Sequence, residues 1–161
     1  MTALAIPDDL QPVERGYRNA LRARAALFWV PLFVAAVVVN RAVLSQTAFS
    51  GALPVLIALI GLLAIIVAPQ RVYRRLGYAI DDRLLRVVRG WLFHVDTVVP
   101  FVRVQHIDVT RGPIDKLFGT ASLVVHTAGT HNSIVVLPGL SPDRASEIRE
   151  AIRGEIRADA E

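Results

Sequence analysis

The stretch AALFWVPLFVAAVVVNRAVL, residues 25–44, and after it FSGALPVLIALIGLLAIIVA, residues 49–68, decide the kind of fold this chain has. An α-helix needs about 20 residues to cross a hydrocarbon core ~30 Å thick, and each run has that length. The second run is free of charge. Its large apolar side chains, Phe49 through Val67, contribute about −0.4 kcal/mol each to insertion, roughly −5 kcal/mol in all before Gly51, Pro54 and Gly61 are counted. Asn40 and Arg41 weaken the first run, although an arginine so near a helix end extends its head to the interface. Two core helices of a soluble bundle would each show a polar stripe toward water, and neither run has one. The chain reads as a membrane protein.

Only Ser45 to Phe49 or so separates the helices, so they return as an antiparallel hairpin with both chain ends on one side. Arg15, Arg18, Arg22 and Arg24 precede the first helix and Arg71, Arg74 and Arg75 follow the second, whereas the connecting loop has no basic residue. The positive-inside rule then places both termini in the cytoplasm, with the hairpin in the plasma (inner) membrane. These seven arginines are the expected membrane-interface set, facing anionic headgroups. Residues 12–24 read either as an interfacial helix, with Val13, Tyr17 and Leu21 four apart, or as a frayed leader. Asp8, Asp9 and Glu14 before the apolar run argue against a cleaved signal peptide.

The composition is 53% hydrophobic, with a net charge of +4 and no cysteine. A pI near 10.3 suggests nucleic-acid binding until the charges are located. Residues 1–76 hold eight arginines against three acidic groups, and from 77 onward ten basic face eleven acidic side chains. The basicity belongs to the membrane border, and a nucleic-acid partner has no support. Absence of cysteine removes disulfides and thiol chemistry.

The domain organisation is a basic N-terminal segment 1–24, a hairpin 25–68 and a small domain 76–157. The last reads as strands. Tyr78 to Ile80 and Arg83 to Arg89 flank an Asp81-Asp82 turn, and Arg89-Gly90 turns into a strand from Trp91 to Val99. There the odd positions Trp91, Phe93, Val95, Thr97 and Val99 form the better apolar face, expected on the core. From Val102 to Arg111 the alternation breaks at Gln105-His106, as one extra residue would cause. Such a β-bulge re-aims polar side chains. A compact turn at Asp115 to Gly119 and a last hairpin, Ala121 to Thr127 and Ser133 to Leu137 across Ala128 to Asn132, complete the strands. A helix follows, with Ser141 as N-cap, Pro142 at its first position, and Ala145, Ile148, Ile152 and Ile156 on one face. Six or seven strands and a covering helix make a partly open antiparallel barrel or sandwich.

The string Val99-Pro100, Arg103-Val104-Gln105-His106, Gly112-Pro113, Leu117-Phe118-Gly119, Thr127-Ala128-Gly129 and Leu137-Pro138-Gly139-Leu140 resembles the bacterial pleckstrin-homology-like (PH) domain of YdbS-like membrane proteins. The resemblance runs from about residue 17 to 153, hairpin included. It implies an α+β membrane protein, with a two-helix transmembrane hairpin followed by a PH-like barrel capped by a C-terminal α-helix. It implies no catalytic residues.

Other chemistries fare poorly. His94, His106, His126 and His131 with Asp96 and Asp108 show no metalloenzyme spacing, phosphate-cradling loops are absent, and Ser122 and Ser133 lack a nucleophile elbow. No enzyme activity, metal or cofactor is expected. A phosphoinositide is disfavoured because the loop joining the first two strands is Asp81-Asp82-Arg83, whose carboxylates repel a phosphorylated headgroup. Arg83, Arg86 and Arg89 alternate faces and form no patch. The leading expectation is a membrane-tethered interaction module, with the lipid bilayer and a protein partner or second copy as its contacts. Its binding surface is expected at Arg103, Gln105, His106, Arg111 and Lys116. The alternative is a small accessory subunit of a transport or stress-resistance system acting through the hairpin, suggested by Asn40-Arg41.

Overall fold

The computed structural model describes residues 10–47, 50–81, 83–91, 93–128 and 134–158. Helix α1, Arg15–Val39, continues through one π-helical turn, Asn40–Leu44, and α2 spans Ala52–Arg74. Both are long and apolar enough to cross a membrane. They pack antiparallel, with Trp29 against Gly61, where an added Cβ would lie 3.3 Å from the indole ring. Nearer the basic end, the Arg18 guanidinium sits 5.8 Å from the centre of the Tyr73 ring. At the loop end Asn40 is buried, and its Oδ1 accepts the Gly51 N–H at 2.8 Å. Gly51 has φ +86° and is the cap of α2, so Asn40 closes the hairpin by satisfying a backbone donor at a residue suited to glycine.

The helix starts ten residues before Ala25, so the basic leader is neither frayed nor a separate interfacial helix. Its foot belongs to the domain core. Strand β1, Gln11–Pro12, pairs with β2, Gly77–Asp81. Val13 and Tyr17 are buried in the same cluster as Leu85, Leu123 and Ile148. The Tyr17 ring lies over Gly139, whose added Cβ would be 2.6 Å from Tyr17 Cγ, and Gly139 has φ +80°. Glu14 N–H donates to the Gly139 carbonyl at 2.8 Å. Only glycine meets both demands there.

Strands β3, Leu84–Gly90, and β4, His94–Pro100, complete an antiparallel sheet of order β1-β2-β3-β4. Strands β5, Val104–Thr110, β6, Ala121–Thr127, and β7, Ile134–Leu140, form the second sheet. Among the described residues the sheets make a sandwich-like PH fold and do not close into a barrel. Inward residues of both, Leu85, Val87, Val99, Ile107, Leu123, Val125 and Leu137, are buried together. Helix α4, Pro142–Ala158, covers them with Ala145, Ile148 and Ile152, as its spacing predicts. Ser141 Oγ accepts the Arg144 N–H at 3.2 Å, the expected cap. The last hairpin turn, including His131 and Ser133, lies outside the described residues.

The strand after Gly90 departs from expectation. Gly90 pairs with His94, which leaves Trp91 and Phe93 in the turn and starts β4 three residues later. Trp91 is 52% and Phe93 81% exposed, and Val95 is exposed as well. The apolar alternation of Trp91, Phe93 and Val95 therefore does not mark a core face, and Val99 alone of the five is buried. The turn is tight enough that a Cβ on Gly90 would sit 2.5 Å from the Phe93 carbonyl oxygen.

Candidate functional site

The bulge falls where the period breaks. Pairing of β5 with β6 shifts between Val104 and His106, so Gln105 is the extra residue, and both Gln105 and His106 are exposed. A short 3-10 turn, Phe101–Arg103, precedes it, buries Phe101 and leaves Val102 and Arg103 at the surface. The Arg103 carbonyl accepts the Ala128 N–H at 2.9 Å, which ties this corner to the end of β6.

On the outer face of that sheet His106 faces His126 across the strand pair, with ring centres 5.8 Å apart. Asp108 lies between them, 2.8 Å from His106 Nε2 and 3.5 Å from His126 Nε2. Groups this exposed keep their solvation, so the contacts orient side chains more than they stabilise. Among the described residues no three His, Asp or Glu side chains are arranged to hold a metal ion.

The five expected binding residues do not form one surface. Arg103, Gln105 and His106 stand at the start of β5, whereas Arg111 and Lys116 follow its end, about 20 Å away at ~3.3 Å per residue. The second pair belongs to the short helix α3, Pro113–Leu117, and its approach. This corner packs on the foot of α1: an added Cβ on Gly16 would meet the Phe118 carbonyl oxygen at 2.3 Å. Asp115 is buried there. Its Oδ1 receives Arg24 Nη2 at 2.7 Å and its Oδ2 the Gly112 N–H at 3.1 Å, while the Thr120 hydroxyl lies 3.4 Å from Oδ1. Sequence reasoning missed Asp115, although Gly112-Pro113-Ile114-Asp115 carries the signal: proline at the first helical position and an acid where it can cap.

Of the seven interface arginines, Arg24 is thus an ion pair with the domain. Arg18 Nη1 reaches Gln70 Oε1 at 3.5 Å, and Arg75 Nη1 donates to the Trp91 carbonyl at 2.7 Å. Arg15, Arg71 and Arg74 are exposed and Arg22 is half-buried.

Strand β4 is one edge of the first sheet and β7 one edge of the second, and residues of both line two cavities along an open seam. Away from the Trp91 turn the seam holds a cavity of about 370 Å³ between Thr97, Val98 and Pro100 of β4 and Val135 of β7, with Arg103 and Thr127 at its end. Asp96, also on its wall, is clasped by Arg86 through Nε and Nη2 at 2.6 to 3.0 Å. That hydrogen-bonded guanidinium holds the Asp96 carboxyl below the usual carboxylate range.

The family model for the bacterial PH domain matches residues 25–156, a span that takes in both apolar helices and the sandwich. The chain belongs to the bacterial PH domain family. This bacterial PH domain protein is 28% identical over 103 residues to a protein of Bacillus subtilis (strain 168) described as UPF0699 transmembrane protein YdbS. That alignment covers 64% of this chain and 63% of the relative, so the chain spans under two thirds of the relative's length. No solved structure matches.

Proposed function

We propose that this bacterial PH domain protein is a membrane-tethered interaction module, without catalytic activity, that receives a protein partner at the open seam beside Arg103, Gln105 and His106. The observation that carries the reading is the seam itself. Two edge strands that do not pair with each other offer backbone N–H and C=O groups to an added strand, the mode by which sheets capture peptides. The bulge places polar side chains at its end, and Arg103 supplies a planar, multiply donating head of the type enriched at interfaces. Arginines at the outer ends of both helices, with none in the loop, support a domain at the cytoplasmic face of the plasma membrane. Tethering then raises the effective concentration of a partner in the same bilayer and lets modest contacts suffice. A second copy of the chain is one form of that partner.

A photoreactive residue placed at Val98 tests this in intact membranes, with one at Leu117 as reference. Adducts to a protein at Val98 that disappear when Arg103, Gln105 and His106 are all changed to alanine support the reading, and an adduct of twice the chain mass identifies the partner as a second copy. Lipid adducts alone at Val98, or protein adducts unaffected by the triple change, contradict it. The hairpin-centred alternative is weaker, because the burial of Asn40 and its bond to Gly51 give that side chain a structural task.

A further inference from the structure

The other end of the seam differs in chemistry. Val72 of α2 and Leu76 just after it, Trp91 and Phe93 of the turn, Val95 of β4 and Pro138 of β7 line an apolar groove of about 580 Å³. That volume falls in the range of about 300–1,000 Å³ typical of sites for small molecules.

The surroundings of the groove name its occupant. The groove begins one residue beyond Arg71, at the end of a helix whose Leu62, Leu63, Ile66 and Val67 are exposed. Arginines that end an apolar helix mark the headgroup layer. The aromatic turn is fixed at that level by the bond from Arg75 to the Trp91 carbonyl. Trp91 is exposed in the place where amphipathic aromatic rings settle at a membrane boundary, and Phe93 beside it adds exposed apolar surface. Arg89 lines the groove and Arg71 and Arg74 are exposed near its start, which suits an anionic headgroup. A peptide would have to enter through that headgroup layer, whereas lipid is already there.

We infer that this groove takes one acyl chain of an anionic phospholipid from the leaflet facing the domain, with Trp91 and Phe93 at the headgroup boundary and Arg89 beside the phosphate. The inference rests on the hairpin spanning a bilayer and is independent of the partner proposed at the far end of the seam.

The test uses the full chain in vesicles of phosphatidylethanolamine and phosphatidylglycerol. A trace of phosphatidylglycerol carries a diazirine midway along one acyl chain, and adducts are mapped after irradiation. Adducts are expected on both spanning helices and also on Val95, Val136 or Pro138, which a chain confined to the bilayer does not reach. Val136→Trp, which fills the groove, is expected to reduce the groove adducts at least fivefold while helix adducts persist. Adducts confined to the helices, as a second copy or a peptide in the groove would give, overturn the inference, and so do groove adducts unchanged in Val136→Trp. Loss of helix adducts as well would overturn it by a separate route, through failure of the spanning reading.

Discussion

Helix α1 and helix α2 are both apolar and both carry arginines at the same end, yet they join the sandwich differently. Helix α1 enters it without a break: Tyr17 packs over Gly139, Gly16 abuts Phe118, and Arg24 pairs with buried Asp115. Helix α2 ends at Arg74 and passes to β2 through Arg75 and Leu76, with Arg71 and Arg74 exposed. On α1 the flanking arginines thus overlap a structural joint, whereas on α2 Arg71 and Arg74 stay exposed. The hairpin is fastened to the domain by the foot of α1, and the end of α2 is where the proposed contact with lipid headgroups would lie.

The joint is easiest to break at glycine. Gly139→Val places a branched side chain at φ +80° against the Tyr17 ring, and is expected to cost about 3 kcal/mol or more from backbone strain and overpacking together. Gly154→Ala, in α4 with nothing within 4 Å of the new methyl, should instead stabilise by up to ~1 kcal/mol. Thermal unfolding of the full chain in micelles separates the two, and an unchanged transition for Gly139→Val would refute the packing of α1 into the core.

Asp115→Ala removes the partner of Arg24 and the acceptor for Gly112 N–H, at an expected cost of about 2–3 kcal/mol. Arg71→Ala should stay within ~0.5 kcal/mol. Equal effects in the same unfolding assay would erase the distinction between the two arginine sets. Farther from the joint, Asn40→Leu should weaken hairpin closure by about 1 kcal/mol, as for one interhelical hydrogen bond in a membrane, measured by denaturant titration in micelles. A variant as stable as the parent would show that the bond to Gly51 contributes nothing.

The smallest effect is one of pH. Arg86 holds the Asp96 carboxyl below its ordinary value, so this pair's contribution is present above the unfolded carboxylate pKa of about 3.9 and fades as pH falls through the lower folded value. Asp96→Asn should therefore lower stability slightly at neutral pH, only slightly because the pair is exposed, and converge on the parent as pH falls below about 4, which flattens the acid side of the profile. A neutral-pH loss as large as that of Asp115→Ala would contradict that ranking.

Much of this architecture is legible in the residues. Hydropathy runs mark both helices, the cap at Ser141 and the spacing of Ala145, Ile148 and Ile152 mark α4, and the phase break marks the bulge at Gln105. What escapes depends on partners distant in the chain. Nothing near Tyr17 announces that it meets Gly139, and the two residues of β1 are too few to show a period. The alternation of Trp91, Phe93 and Val95 shows apolar character but not which medium it faces, and only the pairing of Gly90 with His94 turns it outward. Strand counting likewise cannot say whether β4 meets β7, because closure depends on hydrogen bonds between elements far apart in sequence. The expected binding set splits for the same reason: Arg103 and Lys116 are close in number but separated by the length of β5.

The central claim is a two-helix anchor that holds the sandwich at the cytoplasmic face, and the lack of native cysteine makes it directly measurable. Single cysteines are introduced at Thr47, in the hairpin loop, and at Gln105, on the exposed bulge, and treated with an impermeant thiol reagent in cells whose outer surface is accessible. Labelling of Thr47→Cys in intact cells, with labelling of Gln105→Cys only after the membrane is opened, is the predicted result. The reverse pattern, or labelling of both before lysis, would contradict the account.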